Sequence, residues 1–172
     1  SPVAPEAFAA LLDDEGPADL TGVRVGVSVD LGVGVPVAPE VRRAVLEQAE
    51  VLASLGATVE ESAPRLGDAD EVFDVTRAFD MATGLRRIVL EHLDDGMVKD
   101  DVIWNVRRGL ELSAEQLMSA AEARGRLDAA VREWFDGWDL LLTPTVQVMP
   151  FPTEKRWPRE IDGVELETYV EW

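Results

Sequence analysis

The sequence predicts a single-domain α/β fold, and three observations carry that prediction. "VRVGVSV" (Val23 to Val29) alternates and is rich in valine, as a strand requires. A segment with helical spacing then leads to a second short strand, "TVEES" (Thr58 to Ser62), which makes a strand, crossover helix, strand unit over residues 23–62. Near the other end, a long helical segment runs into a continuous apolar stretch, "DLLLTPTV" (Asp139 to Val146), the pattern of a central strand covered on both faces. The 172 residues suit one domain, since domains usually hold roughly 100 to 200 residues, and 47% hydrophobic with 29% charged residues is the composition of a chain that packs.

In order along the chain, residues 5–13 form a short apolar helix candidate, followed by the loop "DEGPADLTG", so that 1–22 is an N-terminal helix and loop. After the first strand comes "PVAPEVRRAVLEQAEVLASLGA". Its Val41, Val45, Ala49 and Leu52 fall on one helical face, Pro39 suits the first turn and Gly56 ends it. Residues 68–138 read as helical. Val72, Phe73, Thr76, Phe79, Thr83 and Ile88 keep helical spacing from Asp68 to about Leu93, with an interruption expected at Gly84, and a shorter helix is expected from Asp100 to Gly109. Ser113 and Gln116 then form a capping box, each side chain able to satisfy the other's free backbone N–H, with Leu112 and Leu117 as a hydrophobic staple. The helix they start carries Leu117, Ala121, Arg124, Leu127, Val131, Trp134 and Trp138 along one side. Residues 139–172 supply the last core strand, a proline-broken loop and a hairpin whose turn is Asp162-Gly163.

Thirty-four acidic against sixteen basic residues give a formal charge of −18, which repels phosphate backbones and anionic lipid, and each arginine pair sits among acids. Neither nucleic acid nor a membrane is an expected partner. The absence of cysteine excludes disulfides, thiolate metal sites and a cysteine nucleophile, and agrees with a cytoplasmic location. No stretch approaches the roughly 18 apolar residues of a membrane-spanning helix. His92, the single histidine, reads as a partly exposed residue at a helix end. Asp68, Asp70 and Asp74 lack the glycine and distal glutamate of a calcium loop, and acids in a first helical turn complement the helix dipole. A metal-dependent hydrolase built on these aspartates is the third reading in rank. "GVSVDLGVGV" fails as a dinucleotide loop because Val37 stands where the third glycine belongs. The six serines and two lysines form no nucleophile elbow and no serine-lysine spacing. No cofactor, metal or catalytic residue is expected in this chain.

The order "GVRVGVSVDLG", "VPVAPEVRRAVLEQAEVLASLGATVEESAP", "DADEVFDVTRAF", "GLELSAEQLMSAAEARGRLDAAVREWFDGWDLLLTPTVQVMPFP" and "IDGVELETYVEW" resembles the amidase signature family over nearly all of the chain. The resemblance implies an α/β/α layer fold with a mixed sheet and hydrolysis of amide bonds by a serine nucleophile, a second serine behind a cis peptide bond, and a lysine. In the family those three lie in a glycine- and serine-rich region before the matched part, so no serine or lysine here is carried over to them. The implied role is the non-catalytic portion of an amide-bond hydrolase, inactive alone, whose full-length form takes a small-molecule amide. The start at Ser1 and the stop at Trp172 agree with an internal portion. The resemblance brings the helix around Phe79 and the loop after the last strand near the acyl group, which makes Phe79 and Thr145 the substrate-binding candidates. A free-standing α/β binding or interaction module that kept the shape without the chemistry is the alternative. An incomplete sheet would expose edges, so self-association of the isolated chain is expected.

Overall fold

The computed structural model describes residues 19–93 and 95–172. The helix expected at 5–13, the loop up to residue 18, and Asp94 lie outside them. The elements follow in the order β1 (Arg24–Val27), α1 (Pro39–Ser54), β2 (Thr58–Glu61), α2 (Ala69–Glu91), α3 (Asp100–Leu110), α4 (Ala114–Phe135), β3 (Leu140–Leu142), β4 (Glu160–Ile161) and β5 (Val164–Glu165).

β1 is the central strand. It pairs in parallel with β2 on one side, Val25 opposite Val59, and with β3 on the other, Val25 opposite Leu140, giving the order β2-β1-β3. Its alternation assigns the two faces. Val25 and Val27 are buried in a cluster with Ala49 of α1, against which Val45, Leu52 and Val59 also pack. Each such valine is worth about 2 kcal/mol when removed from water. Gly26 points the other way and lies against the Trp134 ring of α4, so tightly that a Cβ there would overlap the ring. Helix, sheet and helix therefore form three layers, the α/β/α arrangement expected, and the three strands of this sheet are all parallel.

The apolar run Leu140–Leu142 differs from expectation. Among the described residues it is an edge strand of this sheet rather than a covered central one, and Leu140 is 47% exposed. A continuous apolar run reports that both faces of a strand tolerate burial; it does not say which strands flank it. β3 is nonetheless firmly registered. Asp139 clips it to β1, its carboxylate accepting from Arg24 N at 2.8 Å while its own N–H donates to Arg24 O at 2.9 Å.

α2 runs through Gly84 without the expected break, since a single glycine costs a helix interior only about 1 kcal/mol. It packs closely on α3, where Gly109 sits against the backbone of Ala78 and the side chain of Ala82 with no room for a Cβ. The capping box at Ser113 forms as expected, Gln116 N donating to Ser113 Oγ at 3.1 Å and Ser113 N to Gln116 Oε1 at 2.9 Å. The buried positions of α4 are Ala120 and Ala123, while Ala121 and Arg124 of the expected stripe are exposed. Spacing of the large side chains overlooked the small ones, which are what a close helix contact selects.

The C-terminal hairpin turns at Asp162 (φ 51°) and Gly163 (φ 79°), the two successive positive φ angles that this sequence pair accommodates. Ile161 and Leu166 pack with Trp157 against Val37, Ala38 and Val41 at the start of α1, forming a second core cluster. No helix among the described residues is long and apolar enough to cross a membrane.

Candidate functional site

Two adjoining clefts open off the carboxyl ends of β1 and β3. The smaller, about 300 Å³, lies between the loop after β1 (Val29, Asp30, Leu31), the segment Thr143 to Gln147 after β3, and the first turns of α2. The larger, about 630 Å³, shares Val33, Val35, Asp70, Phe73 and Gln147 with it and extends to Trp104 and Arg108 of α3 and to the stretch from Val164 to Glu171. In α2, Asp70, Phe73 and Asp74 reach the larger cleft together because positions three and four apart share a helical face.

Polar contacts between residues far apart in sequence hold the walls. The Gln147 side-chain amide donates to Pro36 O and to Glu171 O, both at 3.0 Å, joining three segments of the rim. Arg108 pairs with Asp74 across α3 and α2. Below the C-terminal stretch lies a network centred on Asn105, which is 2% exposed. Its amide donates to Asp101 O at 2.6 Å and to the Tyr169 hydroxyl, while its Oδ1 accepts from Arg77. Arg77 also donates to the Tyr169 hydroxyl at 2.7 Å, and its guanidinium lies 5.1 Å from the centre of the Tyr169 ring. Trp104 meets the same ring edge-on at 6.1 Å. Burial works against ionisation of the Glu171 carboxyl. Hydrogen bonds from Thr168 Oγ1, Thr168 N and Glu167 N outweigh that effect and hold it below the usual carboxylate range.

Of the residues singled out in the sequence, Thr145 lines the smaller cleft. Phe79 is 43% exposed on α2 and lines neither cleft. It stands six residues beyond Phe73, about 120° away around the helix axis at 3.6 residues per turn. Phe73 lines both clefts and was not among the sequence candidates; its signal was the aromatic set among the acids of "DADEVFD", which helix-dipole complementation does not explain. Two of those aspartates are held in ion pairs, Asp68 with Arg126 and Asp74 with Arg108, and among the described residues no group of three or more His, Asp or Glu could hold a metal. His92, at the C-terminal end of α2, bonds Asp95 at 2.6 Å and lines neither cleft. Four of the serine hydroxyls have partners: Ser28 donates to Asp30, Ser54 donates to Val51 O, Ser62 accepts from Trp134, and Ser113 caps α4.

Comparison with known proteins follows the same outline. Residues 5–170 match the family model for amidases. Among solved structures, a bacterial aryl acylamidase of the amidase signature enzymes family superposes with a TM-score of 0.75 at 22% identity, covering 99% of this chain and 36% of that one. A second amidase gives 0.71 at 23% identity, covering 84% of this chain and 32% of that one. The 6-aminohexanoate cyclic dimer hydrolase in complex with substrate gives 0.62 at 26% identity, covering 87% of this chain and 32% of that one. This chain thus spans about a third of the length of the structures it resembles. No curated protein matches it. With a family match over nearly its whole length and the α/β/α layers to go with it, the chain belongs to the amidase family.

Proposed function

We propose that this chain supplies the substrate-binding side of an amide hydrolase, in which an amide and water give a carboxylic acid and an amine or ammonia. The observation that carries the reading is the position of the paired clefts in a chain of this family. They lie outside the carboxyl ends of two neighbouring parallel strands, the place where open α/β sheets take their ligands. Phe73 and the valines of the 33–35 loop offer apolar surface to an acyl or aryl group, and Thr145 offers a hydroxyl beside it.

The chain binds the amide and does not itself cleave it. Activating a hydroxyl for attack requires a neighbouring base. The bonded serines named above are turned to Asp30, to a main-chain carbonyl, to Trp134 and to a helix cap, and neither Lys99 nor Lys155 is a partner of any of them.

Titration of the isotopically labelled chain with acetanilide, followed by NMR, tests both halves. Saturable shifts at Phe73 and Thr145 are expected, with no acid released on prolonged incubation. Phe73→Ala weakens binding about tenfold, the equivalent of 1.4 kcal/mol, and Thr145→Ala weakens it less. Phe79→Ala is the third arm. A loss equal to that of Phe73→Ala brings Phe79 into the site, as its position in the family implies, and no loss leaves it a surface residue of α2. Absence of saturable binding would remove the binding half of the proposal; release of acid would remove the other.

A further inference from the structure

We propose that the larger cleft selects a ligand with a positive charge on an apolar body, an alkyl or aryl ammonium. The inference rests on the reading of the clefts as the substrate site and adds its charge preference. Five charged residues line the cleft, Asp70, Asp74, Glu165, Glu171 and Arg108. Arg108 is matched by Asp74, which leaves Asp70, Glu165 and Glu171 with no cation among the lining residues. A chain of net charge −18 carries acids over much of its surface, so their number alone decides nothing.

Placement is what matters. Asp70 comes from α2 and the two glutamates from the hairpin and the stretch after it, so the negative charge, though exposed, stands on two walls of one concavity rather than along one helix. A cleft with low-dielectric walls and charge of one sign concentrates the counter-ion. Apart from Gln147 and Thr168 the remaining lining is apolar, and it includes two aromatic rings, Phe73 at 52% and Trp104 at 41% exposure. Aromatic faces attract cations that the carboxylates draw in. A carboxylate or phosphate ligand would instead meet three acids that have no cation among the lining residues, and a neutral one would gain from the apolar walls only. At about 630 Å³ the space suits a small molecule rather than a bare ion.

Three probes of one shape separate these cases: 3-phenylpropylammonium, 3-phenylpropanol and 3-phenylpropionate, each titrated into the 172-residue chain. The Trp104 indole N–H resonance, assigned with Trp104→Phe, reports occupancy. The ammonium is expected to bind about tenfold more tightly than the alcohol, with the propionate weakest, and the advantage should shrink severalfold in about 0.5 M salt because screening acts on charge alone. Asp70→Asn combined with Glu165→Gln should bring the ammonium close to the alcohol's affinity. Equal binding of ammonium and alcohol, or tightest binding of the propionate, would overturn the charge preference while leaving the cleft as a binding site. Failure of all three probes, together with failure of acetanilide, would overturn the site itself. The salt series needs no variant, so it decides the matter even if the double substitution unfolds the chain.

Discussion

The sheet with α1 and the helical pair α2–α3 with its C-terminal cover are held together in different ways. Around β1, side chains alternate between two apolar layers, and cohesion comes from Val25, Val27 and Ala49 on one face and the Trp134 ring on the other. Around α3, buried Val75, Ala78, Ala82 and Val106 are joined by polar contacts that cross long stretches of chain. Asn105, Arg77 and Tyr169 form one network, Arg156 pairs with Asp101, and Arg108 pairs with Asp74. Apolar layers tolerate small slips because dispersion is non-directional. Hydrogen-bonded networks do not, since a displaced partner leaves a buried group unsatisfied. The candidate site is walled by the second kind of structure, which suits a surface that must present fixed groups to a ligand.

One substitution made in both regions breaks or sharpens that comparison. Gly109→Ala sets a methyl against the Ala78 carbonyl and the Ala82 side chain, where backbone must move, and should cost about 3 kcal/mol. Gly26→Ala meets chiefly the far edge of the Trp134 ring, which can tilt, although Ser62 O also stands close; about 1.5 kcal/mol is expected. Gly84→Ala, with nothing near its Cβ, should instead stabilise by about 0.5–1 kcal/mol through helix propensity. Urea unfolding of the three variants gives the order. Equal losses at Gly109 and Gly26 would mean that the helical pair is no less forgiving than the sheet.

The same division explains what could be read from the sequence. Val41, Val45, Ala49 and Leu52 announce α1's inner face by spacing, Ser113 and Gln116 announce the start of α4, and Asp162-Gly163 announces the hairpin, because each signal is contained within a few residues. β3's place at the edge was not legible, since neighbours in a sheet are chosen by crossovers that a local run does not record. In the candidate site Thr145 was reached through family resemblance and lies at a cleft, whereas Phe73 and the Asn105 network were not. Arg77 and Tyr169 are 92 residues apart, and no periodicity links them.

The network offers the second test. Asn105→Ala removes the group that joins Asp101 O, Arg77 and the Tyr169 hydroxyl, leaving buried polar atoms unpaired, and should cost about 2 kcal/mol. Tyr169→Phe removes one hydroxyl while Arg77 and Asn105 still satisfy each other, so about 1 kcal/mol is expected. Its effect should be local, with faster amide exchange from Val164 to Glu171 and little change in β1. Uniform acceleration across both regions would show that the network supports the whole fold rather than the cleft wall.

The smallest effect is expected from pH at Glu171. Its folded carboxyl titrates below the ordinary value of 4.5 because the Thr168 and Glu167 hydrogen bonds to the charged form outweigh the opposing effect of burial. A depressed value in the folded state means that the contribution is fully present above the unfolded pKa and is lost as pH falls through the folded one. The end of the C-terminal stretch should therefore loosen only below about pH 4.5, while the apolar contacts around β1, which do not titrate, hold. The Thr168 amide proton, a direct donor to Glu171, reports this in an NMR titration. Its midpoint should fall below 4.5 in the native chain, and the step should vanish in Glu171→Gln. A midpoint at or above 4.5 would show that the three hydrogen bonds do not outweigh burial, and would remove Glu171 from the groups that fix this wall of the cleft.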